Sequence, residues 1–352
     1  MTKQWDRSSR SQVGATVLDV ARAAGVSPMT VSRVVNGKVN VAEATRQKVQ
    51  AAIGDLKYQV NIAARAARIG TLRVGLLYSN PSAAFMTAFL VGAMERCSQC
   101  GAQLILEHCQ DLLSQRQAIG RLLGQSVDGI LIPPPLCDSK ITLQQLNEKG
   151  MPTVAVATGR PSPLASAVRI DDYEGALTMT RYLLSIGHTD IAFVKGDPKH
   201  TPAQLRYSAF VDAMAEAHVP VLPERVAQGM FTYRSGLEAG RQLLGQSTRP
   251  TAIFASNDDM AAGVIAVAHG MRLHLPDDLA VCGFDDTPVA TTVWPELTTI
   301  HQPIADMARS AVDLVIEQIC SQRAGEQKSV QHKVLPFSLI TRESSKVVGV
   351  SR

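Results

Sequence analysis

The sequence predicts an all-α amino-terminal unit built on a helix-turn-helix, then an α/β core of two doubly wound parallel-sheet subdomains. Three observations predict it. Excess positive charge is confined to the first fifth of the chain. Two short, capped helices flank Gly25 within that fifth. From Arg73 onward apolar strands alternate with amphipathic helices, and the alternation runs through twice.

The chain has 352 residues, enough for roughly two to three folding units. A hydrophobic share of 45% with 19% charged residues is ordinary for a globular protein. No apolar run is long enough for a membrane span. The opening MTKQWDRSSRSQ is polar and lacks an apolar signal core, so a cytosolic location on the nucleoid is expected. Residues 1–70 hold 11 Lys/Arg and 4 Asp/Glu, a net of +7, and the remainder holds 24 and 27, a net of −3. Such a unit is suited to a polyanion. A solvated basic tail would carry the charge but not the helical patterning.

Thr16 starts the first helix as its cap, and Asp19 favours the positive end of the macrodipole. Val17, Val20, Ala21 and Ala24 form an apolar stripe, and Gly25 ends the helix. Ser27 caps a second helix with Pro28 at its first position. Val31, Val34 and Val35 face inward, and Asn36-Gly37 stops it. A third helix is expected over about Glu43–Leu56, with Val49, Ala52, Ile53 and Leu56 buried. In such a unit the second helix presents its outer face to the DNA major groove. That face carries Ser27, Met29, Thr30, Ser32, Arg33 and Asn36, while Thr16, Asn40 and Thr45 are placed to hold phosphates. A helical hairpin in an interaction bundle is the plain alternative. The alanine-rich stretch 58–68 follows, with Asn61 as a cap and Arg65 and Arg68 three apart. It is marginal as an isolated helix, so it orders against a partner or on DNA, or serves as a linker.

The core then reads in order. Strand 74–78 leads to helix 85–99, strand 103–108, helix 114–124, strand 129–134, a helix near 142–149 and strand 153–157. The second run gives helix 174–186, strand 191–196, helices 203–217 and 235–244, strand 252–256, helix 259–270 and strand 279–286. Ligands bind such sheets at the carboxyl ends of the strands. Catalytic signatures (HExxH, P-loop, GxGxxG, GxSxG) are absent from the sequence, so no enzyme activity is expected. Polar residues at strand ends, Asp171-Asp172, Arg206, Asn257-Asp258 and Asp285-Asp286, suit a hydroxyl-rich ligand such as a sugar. Phe85, Phe231 and Tyr233 offer aromatic faces. Singly, each residue reads as readily as a cap or loop charge. Cys97-x-x-Cys100 and His108-Cys109 are spread too far along a helix end and a strand to converge on one ion, so neither metal nor cofactor is expected.

The stretch from Thr16 to Asn61 carries V-A-x-x-A-G-V-S-x-x-T-V-S-R and the Tyr58…Asn61 corner, and resembles the headpiece of the LacI/GalR transcription regulators. The later region resembles that family's periplasmic-binding-protein-like core. The resemblance implies a homodimeric repressor of carbohydrate genes on pseudo-palindromic double-stranded DNA, controlled by a small-molecule effector; a tetramer stays open, although the sequence shows no carboxy-terminal tetramerisation helix. It implies that Pro28 and Met29 specify sequence, and that a hinge helix carrying Asn61, Ala64, Arg65, Ala67 and Arg68 enters the minor groove. Val60 and Ala67 depart from the family's usual Pro and Leu, and alanine is a poor wedge between base pairs. Phe85, Arg206, Phe231, Asn257, Asp285 and Gln302 align with effector contacts, and Asp171 stands in for a missing first-lobe aspartate. The implied organisation is a tail at 1–15, headpiece 16–60, hinge and linker 61–72, core 73–343 and tail 344–352. Within the core, the first lobe takes 73–171 and 302–330, and the second takes 172–301 and 331–343. A sugar-binding protein without gene regulation would explain only the core, and a non-specific DNA binder only the headpiece.

Overall fold

A computed structural model of the chain describes residues 15–35, 41–56, 71–79, 82–109, 112–326 and 329–345. The chain divides into two compact units, Met1–Arg65 and Ala66–Arg352.

In the first unit, α1 (Val17–Ala24), α2 (Pro28–Val35) and α3 (Glu43–Asp55) surround a small core of Val20, Ala21, Val31, Val34, Val49 and Ala52. Thr16 and Asp19 form a reciprocal capping box at the start of α1. Gly25 ends α1 at φ 66° with its N–H returned to the carbonyls of Ala21 and Arg22. A Cβ there would meet nothing within 4 Å, so glycine is required by the backbone alone. Ser27 Oγ accepts from Thr30 N at 3.1 Å and starts α2. Helix α3 starts at Ala42 without a side-chain cap. Leu56, expected in the core, is exposed because it stands at the C-cap, past the last turn of α3. The Asn36-Gly37 stop, Asn40 and the whole stretch 57–70 lie outside the described residues, and with them Asn36, Asn61, Ala64, Arg65, Ala67 and Arg68.

The second unit opens with β1 (Arg73–Tyr78), α4 (Ala83–Gln99), β2 (Gln103–His108), α5 (Leu112–Gly124), β3 (Gly129–Ile132), α6 (Lys140–Glu148), β4 (Thr153–Val156) and β5 (Ser166–Arg169). It continues with α7 (Asp172–Ser185), β6 (Ile191–Lys195), α8 (Thr201–Glu216), β7 (Val226–Gln228), α9 (Tyr233–Leu244), β8 (Ala252–Ala255), α10 (Asp258–Gly270) and β9 (Ala280–Cys282). The chain ends with β10 (Thr299–His301), α11 (Ile304–Arg323), β11 (His332–Val334) and β12 (Ser338–Ile340). Strands order as β11-β5-β4-β3-β1-β2 in the first lobe and β7-β6-β8-β9 in the second, and every pairing within these two sheets is parallel. Strands such as Gly129–Ile132 and Ala252–Ala255 are buried along their whole length, as parallel strands covered on both faces must be. The sequence does not predict β5 and β7, because SAVR and VAQ are too short and mixed to show an apolar run.

The third crossing between lobes lies later in the chain than the sequence predicts. The family resemblance implies a crossing near 330, with 331–343 in the second lobe. Instead β11 pairs in parallel with β5, and Leu335 N still donates to Arg169 O at 2.8 Å. The chain crosses after Leu335, and β12 then pairs antiparallel with β10. In each sheet the strand order reverses once, at β1/β3 and at β6/β8, and those switch points face one cleft. No helix among the described residues is long and apolar enough to cross a membrane.

Candidate functional site

Two sites were expected. On α2, burial of Val31 and Val34 leaves Ser27, Pro28, Met29, Ser32 and Arg33 exposed on the opposite face, with Met29 at 65%. Thr30 is half-buried, and its Oγ1 lies 2.9 Å from Ser27 Oγ, so it is tied to the cap. Arg33 Nη2 sits 3.8 Å from Met29 Sδ one turn away. Thr16 is exposed, but its hydroxyl donates to Asp19 Oδ2 at 2.6 Å. Thr45 is half-buried in the first turn of α3.

The second site is a small cavity of about 30 Å³ between the two lobes. Phe85, Arg206, Phe231, Asn257, Asp285 and Gln302, scattered over more than 200 positions of sequence, all line it. Asp171 does not. Its Oδ1 accepts from Glu174 N at 3.1 Å as the cap of α7, which turns it away from the cleft. Ser82, Pro134, Ala157, His200 and Pro202 line the cavity and were not anticipated. Each follows within a few residues of a strand's carboxyl end, which was the available signal.

Each wall is set locally. Phe85 rides the first turn of α4, whose cap Ser82 accepts from Phe85 N. Phe231 precedes the cap of α9 at φ 58°, with its ring lying so close over Gly196 that a Cβ there would fall 2.1 Å from Phe231 Cζ. Asn257 caps α10 through Oδ1 and donates Nδ2 to Phe231 O at 3.2 Å. Gln302 Nε2 donates to Asp285 Oδ1 at 3.1 Å, while its buried Oε1 has no hydrogen-bond partner. Ala157, Phe231 and Asp285 all hold positive φ, and non-glycine residues in that region cluster at functional sites.

Arg206 is the structural centre of the second-lobe wall. Its Nε and Nη2 donate to Asp172 Oδ1 at 2.9 and 2.7 Å, and Nη1 donates to Ser256 O at 2.6 Å. Its guanidinium carbon stands 3.6 Å above the Phe284 ring centre. Asp285 Oδ1 lies 3.6 Å from Nη1. Burial lifts the Asp172 and Asp285 carboxyls above their ordinary range, and the guanidinium opposes that rise. His200 packs its ring 5.1 Å from Phe231, and burial pushes it down to about 4, so the imidazole is neutral. Most donors of the wall are therefore spent inside the protein. What faces the cavity is an aromatic ring from each lobe and a few unspent polar atoms.

Both units of the chain are similar to known proteins. Residues 16–61 match the bacterial regulatory proteins of the lacI family, and residues 180–345 match a periplasmic binding protein-like domain. The chain is 32% identical over 336 residues to the HTH-type transcriptional repressor PurR of Photobacterium profundum, covering 94% of this chain and 99% of that protein. It is 35% identical over 327 residues to PurR of Escherichia fergusonii, covering 90% and 94%. Among solved structures, the transcriptional regulator CelR–cellobiose complex superposes with a TM-score of 0.71 at 31% identity, covering 94% of this chain and 100% of that one. The Lac repressor dimer bound to operator and the anti-inducer ONPF superposes with a TM-score of 0.67 at 26% identity, covering 94% and 98%. These relatives are repressors and regulators rather than enzymes. The chain belongs to the LacI family, as a DNA-binding transcriptional repressor with a periplasmic-binding-protein-like ligand domain.

Proposed function

We propose that this repressor acts as a homodimer on a pseudo-palindromic operator, and that a small planar heterocycle of the purine class, bound in the interlobe cavity, sets its operator affinity. The observation that carries the effector class is the cavity lining. Phe85 and Phe231 come from opposite lobes and suit the two faces of a flat ring, and Gln302 Oε1 is an acceptor for a ring N–H. A polyhydroxylated ligand would need many more unspent donors than Arg206 and Asn257 leave. The name of the PurR relatives points the same way. The cavity, about 30 Å³, has room for little more than water in this structure, so the lobes must part to admit a ring.

The second reading is a glycoside, as the sequence alone favoured, and the CelR–cellobiose neighbour supports it. Calorimetric titration of the full chain with hypoxanthine, guanine and cellobiose separates them. Binding of a purine without cellobiose is the expected result, and binding of cellobiose alone would replace this reading with the second.

On the DNA side, Met29, Ser32 and Arg33 read bases, with Met29 offering apolar contact to a thymine methyl. Ser27, Pro28, Thr30 and Asn36 support that face. Thr16, Asn40 and Thr45 hold phosphates, and Asn61, Ala64, Arg65, Ala67 and Arg68 serve the hinge. For the dimer, α4 exposes Val91 and Met94 one turn apart, and the edge strand β2 exposes Leu106. Such an apolar edge is a natural seat for a second copy.

A further inference from the structure

We infer that Asp138, Thr201 and Gly159 form a latch between the lobes, holding the cleft closed and positioning the His200–Pro202 wall of the cavity. Helix α8 has no side-chain cap of its own, because its N-cap residue is His200, which makes no capping bond. The opposite lobe supplies one. Asp138 lies in the short turn after β3, and its Oδ2 accepts from Thr201 N at 3.0 Å and from Thr201 Oγ1 at 2.7 Å. Its Oδ1 accepts from Thr158 Oγ1 at 2.6 Å, which ties the carboxylate to the first lobe. Thr201 Oγ1 in turn accepts from Gly159 N at 2.7 Å, so one hydroxyl is bonded both ways across the cleft. The carboxylate also faces the positive end of α8, where a negative charge is favoured.

The fit is as tight as the bonding. A Cβ on Gly159 would lie 2.8 Å from Thr201 Oγ1 and 2.9 Å from Leu205 Cδ1, so even one added methyl group would press the lobes apart. A second interlobe bond, Ser82 Oγ to Asp259 Oδ2 at 2.8 Å, borders the same cavity. Thr201 stands between His200 and Pro202, which both line the cavity, so opening the latch moves that wall. The apparent affinity of any cavity ligand then scales with the fraction of molecules closed. Only this consequence rests on the effector reading; the latch itself is testable without a ligand.

The test is the separation of spin labels at Glu148→Cys in the first lobe and Gln242→Cys in the second, measured by double electron–electron resonance on the unliganded full chain. All six native cysteines are buried and spared labelling. Thr201→Val removes the two hydroxyl bonds and keeps the Thr201 N–H on Asp138, and Gly159→Ala wedges the docking face without removing any. Both are expected to raise the open-to-closed ratio, by about five- to tenfold for the loss of the two hydroxyl bonds, while Thr201→Ser keeps the wild-type distribution. Should Thr201→Val fail to fold, Gly159→Ala carries the test. A wild-type distance distribution in folded Gly159→Ala, or an opened one in Thr201→Ser, would overturn the latch.

Discussion

The helix-turn-helix and the interlobe cavity place their functional residues in opposite ways. On α2, Met29, Ser32 and Arg33 share one face of a single two-turn helix, and two buried valines on the other face orient them. The cavity instead gathers Phe85, His200, Phe231, Asp285 and Gln302 from five separate loops and helix starts on two lobes. The first site is a surface whose residues can change without unfolding anything. The second is made of buried groups bonded and packed within the core, so the side chains proposed to meet a ligand also have a structural role.

That contrast can be broken most severely at Arg206. Arg206→Ala leaves Asp172 buried at 1% exposure without its guanidinium. The expected loss is about 3–5 kcal/mol in urea unfolding of the core. A near-neutral variant would mean that the residue serves the ligand and not the fold. Next comes pH. His200 is lowered to about 4 from its usual 6.5, so its contribution is present above pH 6.5 and is lost as pH falls toward 4. The size is about 3 kcal/mol over the window. Asp197 and Asp138 oppose the shift and Arg206 adds to it, so the comparison is between wild type and His200→Asn. The variant should lose less melting temperature between pH 6.5 and 4 than the wild type, and parallel curves would remove His200 from the account.

The headpiece predictions are smaller. Gly25→Ala meets no atom but must hold φ 66°, which costs roughly 1–2 kcal/mol in the first unit. Operator affinity should fall with it at 37 °C while ligand binding is unchanged. Smallest is Met29→Ala, which should cost about 1 kcal/mol on the preferred operator and nothing on random DNA in fluorescence anisotropy. An equal loss on both would make Met29 a packing residue rather than a reader of sequence.

How far each region could be read from sequence follows the same divide. Helix caps at Thr16 and Ser27 and the turn at Gly25 are local signals, complete within a few residues, and the structure repeats them. The parallel strands with long apolar runs were equally legible. Strands β5, β7 and β11 were not, because their pairing is fixed by neighbours rather than by composition. In the cavity, aromatic and charged residues after strands stood out. Ala157 and Pro134 carry no chemistry of their own, and His200 reads as a loop residue until Phe231 is packed against it. Asp171 and Asp172 show the limit most clearly. Adjacent and identical, they differ only in which way the first turn of α7 points them, one to a cap and one to Arg206.

The central claim is that the cavity and the operator face are linked through one protein, and linkage is reciprocal. It is tested most directly by operator affinity of the full chain, measured by fluorescence anisotropy on a selected operator with and without saturating hypoxanthine. The same measurement is made in Phe231→Ala. The account predicts a change of about fivefold or more in the wild type, lost in Phe231→Ala while unliganded operator binding persists. Hypoxanthine binding that leaves operator affinity unchanged, or a response that survives in Phe231→Ala, would contradict it.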